Sequence, residues 1–192
     1  MKARRPDWRG RTVVCLASGP SLTPEDVDLV KASGHPVIVT NATFRLAPWA
    51  DVLFGFDFKF WREYHDEALR EFRGQCVSHS ALAVRYGVAT TNGSEWFRGF
   101  GNSGVCAIAY AVGGRAARVV LMGFDCAFGA DGKKHWHGNH DHGLSNCLSI
   151  ARWPQQFDRV ATMARRERVH VVNASRRTAL KCFERKPLED VL

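Results

Sequence analysis

Short apolar runs alternate with amphipathic segments along almost the whole chain. The first run, TVVCLAS at 12–18, is rich in β-branched residues, as expected of a strand that is buried on both faces. The same pattern predicts further strands at 36–42, 52–57, 117–125 and 169–175, and a weaker one at 75–81 beside which 84–91 could pair. These runs are too short to cross a bilayer, so we expect no membrane span.

Segments of helical length separate the predicted strands. Thr23 as N-cap, Pro24 at the first helical position and Gly34 as the terminating residue predict a helix over 23–34. Further helices are predicted at 58–72 and 102–114, and a last one, of about 20 residues and interrupted near Pro154, before the final strand. This alternation predicts the α/β class: a Rossmann-like, open, mostly parallel sheet with helices on both faces.

No linker or internal repeat divides residues 1–192, so we expect a single Rossmann-like domain with a basic N-terminal segment at 1–11. That segment lacks the apolar core of a signal peptide, which favours a cytoplasmic location. The six cysteines form no C-x-x-C pair, and neither a zinc ribbon nor a disulfide framework is expected. The net charge of +8 favours acidic partners such as nucleotides or nucleic acid, although a solvated surface is an equal alternative.

Polar residues follow several of the predicted strands. Ligands of open parallel sheets bind outside the carboxyl ends of the strands, so these residues are candidates for binding. They are Ser18, Gly19 and Ser21 after the first strand, Asn41 after the second, Asp57 at the end of the third and Asp125 at the end of the strand 117–125.

Two glycine-rich turns, ASGPSL at 17–22 and GFGNSG at 99–104, lead into predicted helices. Small residues let a phosphate approach the N–H groups of a helix start, where the helix dipole also favours an anion. With Asn41 and Asp57 placed to contact a ribose or base, the turns predict a nucleotide or nucleotide-like phosphate ligand. The alternative is a purely structural role for the glycines.

The segment HWHGNHDHG at 135–143 holds His135, His137, His140 and His142. One of them could act as an acid or base near a bound phosphate, because the pKa of an imidazole lies near neutrality. Together, or with Asp125, they could instead hold a divalent metal such as Mg, Mn or Zn. The third alternative is a polar loop without chemistry.

The motifs ASGPSL, VTNATF, GFGNSGVCAIAYAVGG, RVVLMGFD and HWHG occur in an order that resembles one superfamily. It joins the DUF115 (MptE-like) proteins, which include archaeal 6-hydroxymethylpterin pyrophosphokinases and flagellin-associated glycosyltransferases, with the bacterial lipooligosaccharide sialyltransferases. LAPWAD, HWHG and the C-terminal TALKCFERKPLE are similar to small phage-encoded members. The resemblance covers nearly the whole chain and implies a nucleotide-binding, glycosyltransferase-type fold, in a host cytoplasm if the chain is phage-encoded.

The resemblance also implies roles for individual residues. In the sialyltransferases the matching histidine is the proposed general base, which implies that role for His135. The implied nucleotide contacts are Gly19, Pro20, Ser21, Asn41 and the run Asn102, Ser103 and Gly104. The chain departs from those enzymes at Ser18 and Asp57, where they have asparagines, and it lacks their donor-binding tyrosines. These departures argue against a CMP-sialic acid donor.

The leading hypothesis is therefore a nucleotide-dependent, glycosyltransferase-like transferase. It binds a nucleotide or nucleotide-sugar as donor. His135 or His137, with Asp125 nearby, deprotonates a hydroxyl of the acceptor, which is DNA or a glycan. The second hypothesis is metal-dependent diphosphotransfer or phosphate-ester chemistry at the histidines. The third is a non-catalytic module that binds a nucleotide or nucleic acid through its basic ends.

Overall fold

A computed structural model of the protein describes residues 6–91, 100–138, 150 and 153–192. One sheet contains the strands β1 (Thr12–Leu16), β2 (Val37–Thr40), β3 (Val52–Phe54), β4 (Gln75–Ser78), β5 (Ala89–Thr90), β6 (Arg118–Met122), β7 (His170–Asn173) and β8 (Glu184–Arg185). The helices are α1 (Pro24–Ser33), α2 (Phe58–Glu71), α3 (Ser80–Tyr86), α4 (Ser103–Gly113) and α5 (Trp153–Arg166). Short 3₁₀ helices cover Asn41–Arg45 and Leu188–Asp190.

The sheet has the order β5-β4-β3-β2-β1-β6-β7-β8, and each neighbouring pair in it is parallel. From β1 the chain winds outward to β5, and α4 then returns it to β6, on the other side of β1. The strand order therefore reverses between β1 and β6. In doubly wound sheets the crevice at the carboxyl ends of such a pair is where ligands bind.

Alternate residues of the central strands enter two separate cores. Val13 and Cys15 of β1 lie in the core that packs against α4 and α5. Val14 and Leu16 lie in the opposite core, against α1, α2 and α3. Successive strand side chains point to opposite faces, so a strand covered on both sides must be apolar throughout. The α/β fold class with helices on both faces is confirmed.

Helix α1 has the predicted ends. The side chain of Thr23 accepts a hydrogen bond from the backbone N–H of Asp26 at 3.3 Å, and Pro24 is the first helical residue. Gly34 ends the helix in the left-handed conformation, at a φ of 66°. A residue with a side chain would be strained there.

Two predictions were wrong in detail, and one short strand was not predicted. The strand expected at 84–91 is the end of α3 followed by the two residues of β5, because Gly87 ends the helix at a φ of 64°. Pro154 lies in the first turn of α5, where no backbone N–H is needed, and does not interrupt the helix. Strand β8 consists of only two residues, both exposed, and is too short to produce a hydrophobic pattern.

The basic N-terminal segment packs on the domain where it is described. Trp8 is buried in the α4 core, and its backbone N–H donates to the carbonyl of Gly114 at 2.7 Å. Residues 1–5 lie outside the described residues. Within the described ranges, the cysteines are free thiols and no helix has the length and apolar character needed to cross a membrane.

Candidate functional site

A cavity of about 450 Å³ opens at the carboxyl ends of β1, β2, β3 and β6. It lies where the strand order reverses, and its size is within the range of small-molecule sites. The predicted site residues that line it are Ser18, Gly19, Pro20, Asn41, Asp57, Asn102, Ser103, Gly104, Asp125 and His135. The fold therefore brings together residues that lie more than 100 positions apart in the sequence.

The turn after β1 is held by the end of β6. Gly19 donates its backbone N–H to the carbonyl of Gly123 at 2.8 Å, and a Cβ on Gly19 would lie 2.3 Å from that oxygen and from Oδ1 of Asp125. Gly123, at a φ of 69°, is equally tight against the carbonyl of Ala17. Both glycines are therefore required by the close approach of two backbones.

Asp125 serves this turn directly. Its two carboxylate oxygens accept hydrogen bonds from the backbone N–H of Ser21 at 2.8 Å and from the Ser21 hydroxyl at 2.7 Å. Burial raises the pKa of the Asp125 carboxyl, while the Ser21 hydrogen bonds and the charge of Arg177 act in the opposite direction. Ser21 is thus bound to Asp125 and is not among the residues that line the cavity.

The second glycine-rich turn begins α4. The side-chain oxygen of Asn102 caps this helix by accepting from the N–H groups of Gly104 at 2.9 Å and Val105 at 3.2 Å. A Cβ on Gly104 would lie 3.0 Å from the Phe124 ring, so this glycine permits close packing. The sequence predicts that both turns bind a phosphate through their N–H groups, but protein oxygens already accept from Gly19, Ser21 and Gly104.

Asn41, Ser103 and Asp57 form a polar group on the β2 and β3 side of the cavity. The Ser103 hydroxyl donates to Oδ1 of Asn41 at 3.0 Å and accepts from the backbone N–H of Phe56 at 3.1 Å. Asn41 has a left-handed φ of 49°, a conformation that asparagine adopts more readily than most residues. Such a backbone at a cavity wall is common at ligand sites.

Asp57 is exposed where it opens on the cavity, and protein atoms surround it on its other sides. This desolvation raises the pKa of the Asp57 carboxyl, and the nearby His79 and Ser103 lower it by a smaller amount. A carboxylate in such a position gains from a ligand that supplies hydrogen-bond donors.

His135 is buried, lines the cavity and lies beside the turn after β1. Its Nδ1 is 3.0 Å from the hydroxyl of Ser18, and the backbone N–H of Trp136 donates to the Ser18 carbonyl at 3.1 Å. The ring of His137 stacks on that of His135, with centroids 5.2 Å apart and an interplanar angle of 7°. Of the two, only His135 is among the residues that line the cavity.

The metal hypothesis falls largely on residues 139–149, which include His140 and His142 and lie outside the described residues. In the described ranges, no group of three or more His, Cys, Asp or Glu side chains is placed to hold a metal ion. His135 and His137 are adjacent, but their rings stack face to face.

Several cavity residues were not predicted. They are Thr40, Phe58, Lys59, Phe60, Phe124, Cys126, Lys134, Trp153 and Phe157, with others from the same loops. Phe58 and Lys59 directly follow Asp57 at the end of β3, so the rule that selected Asp57 could have selected them. No local pattern indicates Trp153 or Phe157, since α5 is placed beside the cavity by its tertiary packing on α4 and β7.

The basic residues near the C-terminus do not form one patch. Arg165 and Arg166 end α5, next to the amino end of β7, whereas Arg176 and Arg177 follow its carboxyl end. Arg176 also forms two hydrogen bonds of 2.8 Å to Asp26 of α1. These two arginine pairs therefore lie at opposite ends of the sheet.

No protein-family model matches the chain, and no curated protein is significantly similar to it. Among solved structures, it is similar to a short-chain dehydrogenase/reductase from Serratia marcescens and to a doubly substituted form of such an enzyme. The former has 10% sequence identity and a TM-score of 0.29, and the latter 13% and 0.28; in both cases 86% of this chain and 73% of the other are covered. TM-scores this low carry no functional argument, and the fold assignment stands on the strand order and its parallel pairing.

Proposed function

We propose that the protein is a nucleotide-dependent transferase of the glycosyltransferase type, which binds a nucleotide-activated donor in the cavity. The observation that carries the proposal is the convergence of Asn41, Asp57, Ser103 and His135 on one cavity at the reversal point of a parallel sheet. The resemblance to the DUF115 and sialyltransferase superfamily supports the same reaction class.

The proposed reaction is the transfer of a sugar to an acceptor hydroxyl. The acceptor oxygen forms a bond to the anomeric carbon, and the bond from that carbon to the donor phosphate breaks, so that the nucleotide leaves with the electron pair. His135 takes the hydroxyl proton, and Lys59 and Lys134 at the cavity neutralise the leaving phosphate. Ser18 and Asp125 act as positioning residues, because one contacts the His135 ring and the other holds the adjoining turn.

Side-chain cations suit this role better than the glycine-rich turns. The N–H groups of Gly19, Ser21 and Gly104 already donate to protein oxygens, so a phosphate would have to break those hydrogen bonds. Lys59 and Lys134 line the same cavity, and each carries a positive charge on a long side chain that can reach an anion.

Thermal unfolding in the presence of nucleotides and nucleotide-sugars tests the proposal, with each ligand measured in EDTA and with Mg, Mn or Zn. A ligand at one hundred times its Kd stabilises the fold by about 2.7 kcal/mol, which raises the Tm of a chain this size by roughly 5 to 11 °C. We expect such a shift with at least one nucleotide-sugar in EDTA.

Once the donor is identified, turnover by His135→Ala and His137→Ala tests the base. We expect His135→Ala to lose roughly 100-fold or more in kcat and His137→Ala to lose much less, since only His135 lines the cavity. Full turnover by both variants would eliminate the histidine base. A thermal shift that requires metal would favour diphosphotransfer, and no shift with any nucleotide would contradict the proposal.

A further inference from the structure

The β3 side of the cavity places a carboxylate and an amide next to each other. Both Asn41 and Asp57 line the cavity, and both interact with the hydroxyl of Ser103. Because Oδ1 of Asn41 accepts from Ser103, the N–H donors of this amide are directed elsewhere. The Asn41 amide can therefore offer its N–H donors, and Asp57 its acceptors, to a ligand that enters this part of the cavity.

The β6 side of the cavity has the opposite character. Lys134 and His135 line it, whereas Asp125, the carboxylate on this side, is bound through both oxygens to Ser21. On the β3 side the charge of Lys59 is offset by Asp57. Near β6 the positive charges of Lys134 and Arg177 together outweigh Asp125. Coulomb attraction therefore favours the phosphates of a nucleotide near β6. The nucleoside then lies toward β2 and β3, where Asn41 and Asp57 are.

An apolar surface is available for the flat face of a base. Phe58 lines the cavity directly after Asp57 and is 40% exposed. The guanidinium of Arg85 lies over one face of this ring, 5.1 Å from its centroid, so a base would stack on the opposite face. Stacking of a nucleobase on an aromatic ring is favourable for every base, because each has a π-face. Selectivity among bases must therefore come from the hydrogen-bonding edge.

The two oxygens of a carboxylate need two donors when a ligand displaces water from them. Guanine has adjacent N–H donors at N1 and N2, and its O6 acceptor lies beside N1. Adenine, cytosine and uracil each offer a single donor group on that edge, next to acceptors that a carboxylate would repel.

We propose that the nucleotide bound in this cavity carries guanine. Asp57 accepts from N1–H and N2–H, and Asn41 donates to O6. This inference rests on the proposed function, because it identifies the base of the nucleotide that the transferase binds.

Isothermal titration of the full chain with GDP, ADP, CDP, UDP and xanthosine diphosphate tests the inference. Discrimination by one bidentate contact is worth roughly 5- to 150-fold, and we expect GDP to bind more tightly than the other three common diphosphates by such a factor. We expect Asp57→Asn to lower the affinity for GDP by a similar factor. The same variant should bind xanthosine diphosphate more tightly than the wild type does, because the C2 carbonyl of xanthine accepts a hydrogen bond from an amide.

Asp66→Asn is the matched control, because Asp66 is a carboxylate of α2, the helix that Asp57 precedes, and its side chain is 96% exposed. It should leave the affinity for all five ligands unchanged. Equal affinities for the four common diphosphates would overturn the guanine assignment and leave the proposed function intact. So would an equal loss for all four in Asp57→Asn, which would place the carboxylate on the ribose. If none of the diphosphates binds, the inference and the proposed function both fail.

Discussion

Asp57 combines a cost to the fold with access to the cavity. Desolvation is the largest influence on its carboxyl and raises the pKa above the ordinary value. A raised pKa means that folding disfavours the charged form. The contribution of this residue to stability is therefore greatest at low pH, where the carboxyl is protonated in both states, and falls as the pH rises through the folded-state pKa.

We therefore expect Asp57→Asn to be more stable than the wild type at pH 7, because it removes a carboxylate that the folded state desolvates. The gain in Tm should shrink as the pH falls below the ordinary carboxyl pKa, where the wild-type side chain is also neutral. Thermal unfolding of both proteins between about pH 3 and pH 7, a range that includes the ordinary carboxyl pKa, measures this difference in Tm. A variant less stable than the wild type at pH 7 would show that the charge stabilises the fold.

The placement of single residues was only partly predictable from the sequence. Asp57 and Asn41 were found because the ends of parallel strands meet at one edge. The role of Asn102 as an N-cap, rather than as a phosphate contact, depends on the rotamer that it adopts at the start of α4. Asp125 and Ser21 lie 104 positions apart, and no local pattern shows that they bind each other.

At the level of elements, two helices begin with side-chain caps but differ in their position relative to the cavity. Thr23 caps α1 and is not among the residues that line the cavity, whereas Asn102 caps α4 and is. Each cap satisfies backbone N–H groups that the first helical turn leaves without an internal partner. The pair separates the effect of a cap on stability from its effect on binding.

Replacement of either cap by alanine should cost about 1 kcal/mol of stability, the usual value for such a change. Only Asn102→Ala should also weaken nucleotide binding, because the start of α4 forms part of the cavity wall. Chemical denaturation gives the stability of the two variants, and titration with GDP gives their affinity for the nucleotide. If Thr23→Ala lost as much affinity for the nucleotide as Asn102→Ala, the affinity would follow the overall stability of the protein.

Elements with a strong period were predicted, and those defined by tertiary contacts were not. The strands β1, β2, β3, β4, β6 and β7 appear as runs of apolar residues because helices cover both faces of the sheet. Strand β5 has two residues and follows the glycine that ends α3, and β8 has two exposed residues. Neither is long enough for its own sequence to distinguish a strand from a turn.

At the scale of the whole molecule, one ion pair ties the C-terminal region to the first helix. Arg176, which follows β7, donates two hydrogen bonds of 2.8 Å to Asp26 of α1. The Asp26 side chain is nearly buried, at 5% exposure, while that of Arg176 is 60% exposed. The carboxylate therefore depends on the arginine for most of its solvation.

Removal of Arg176 should destabilise the protein, because it leaves a buried carboxylate without its charged partner. We expect Arg176→Ala to cost about 1–3 kcal/mol and to lower the Tm by several degrees. Arg166→Ala is the control, since this arginine is exposed and belongs to none of the ion pairs of the described structure. Differential scanning calorimetry measures both variants, and an equal fall in Tm would show that the pair contributes nothing specific.

The close contact between Gly19 and Gly123 has a consequence for how a ligand arrives. The turn after β1 is fixed by a backbone hydrogen bond to the end of β6 and by both oxygens of Asp125, and all of these hydrogen bonds are between protein groups. This wall of the cavity is therefore preorganised, and binding has little conformational entropy to remove from it. Association at this wall should resemble docking onto a rigid surface, with side chains such as Lys134 supplying the adjustment.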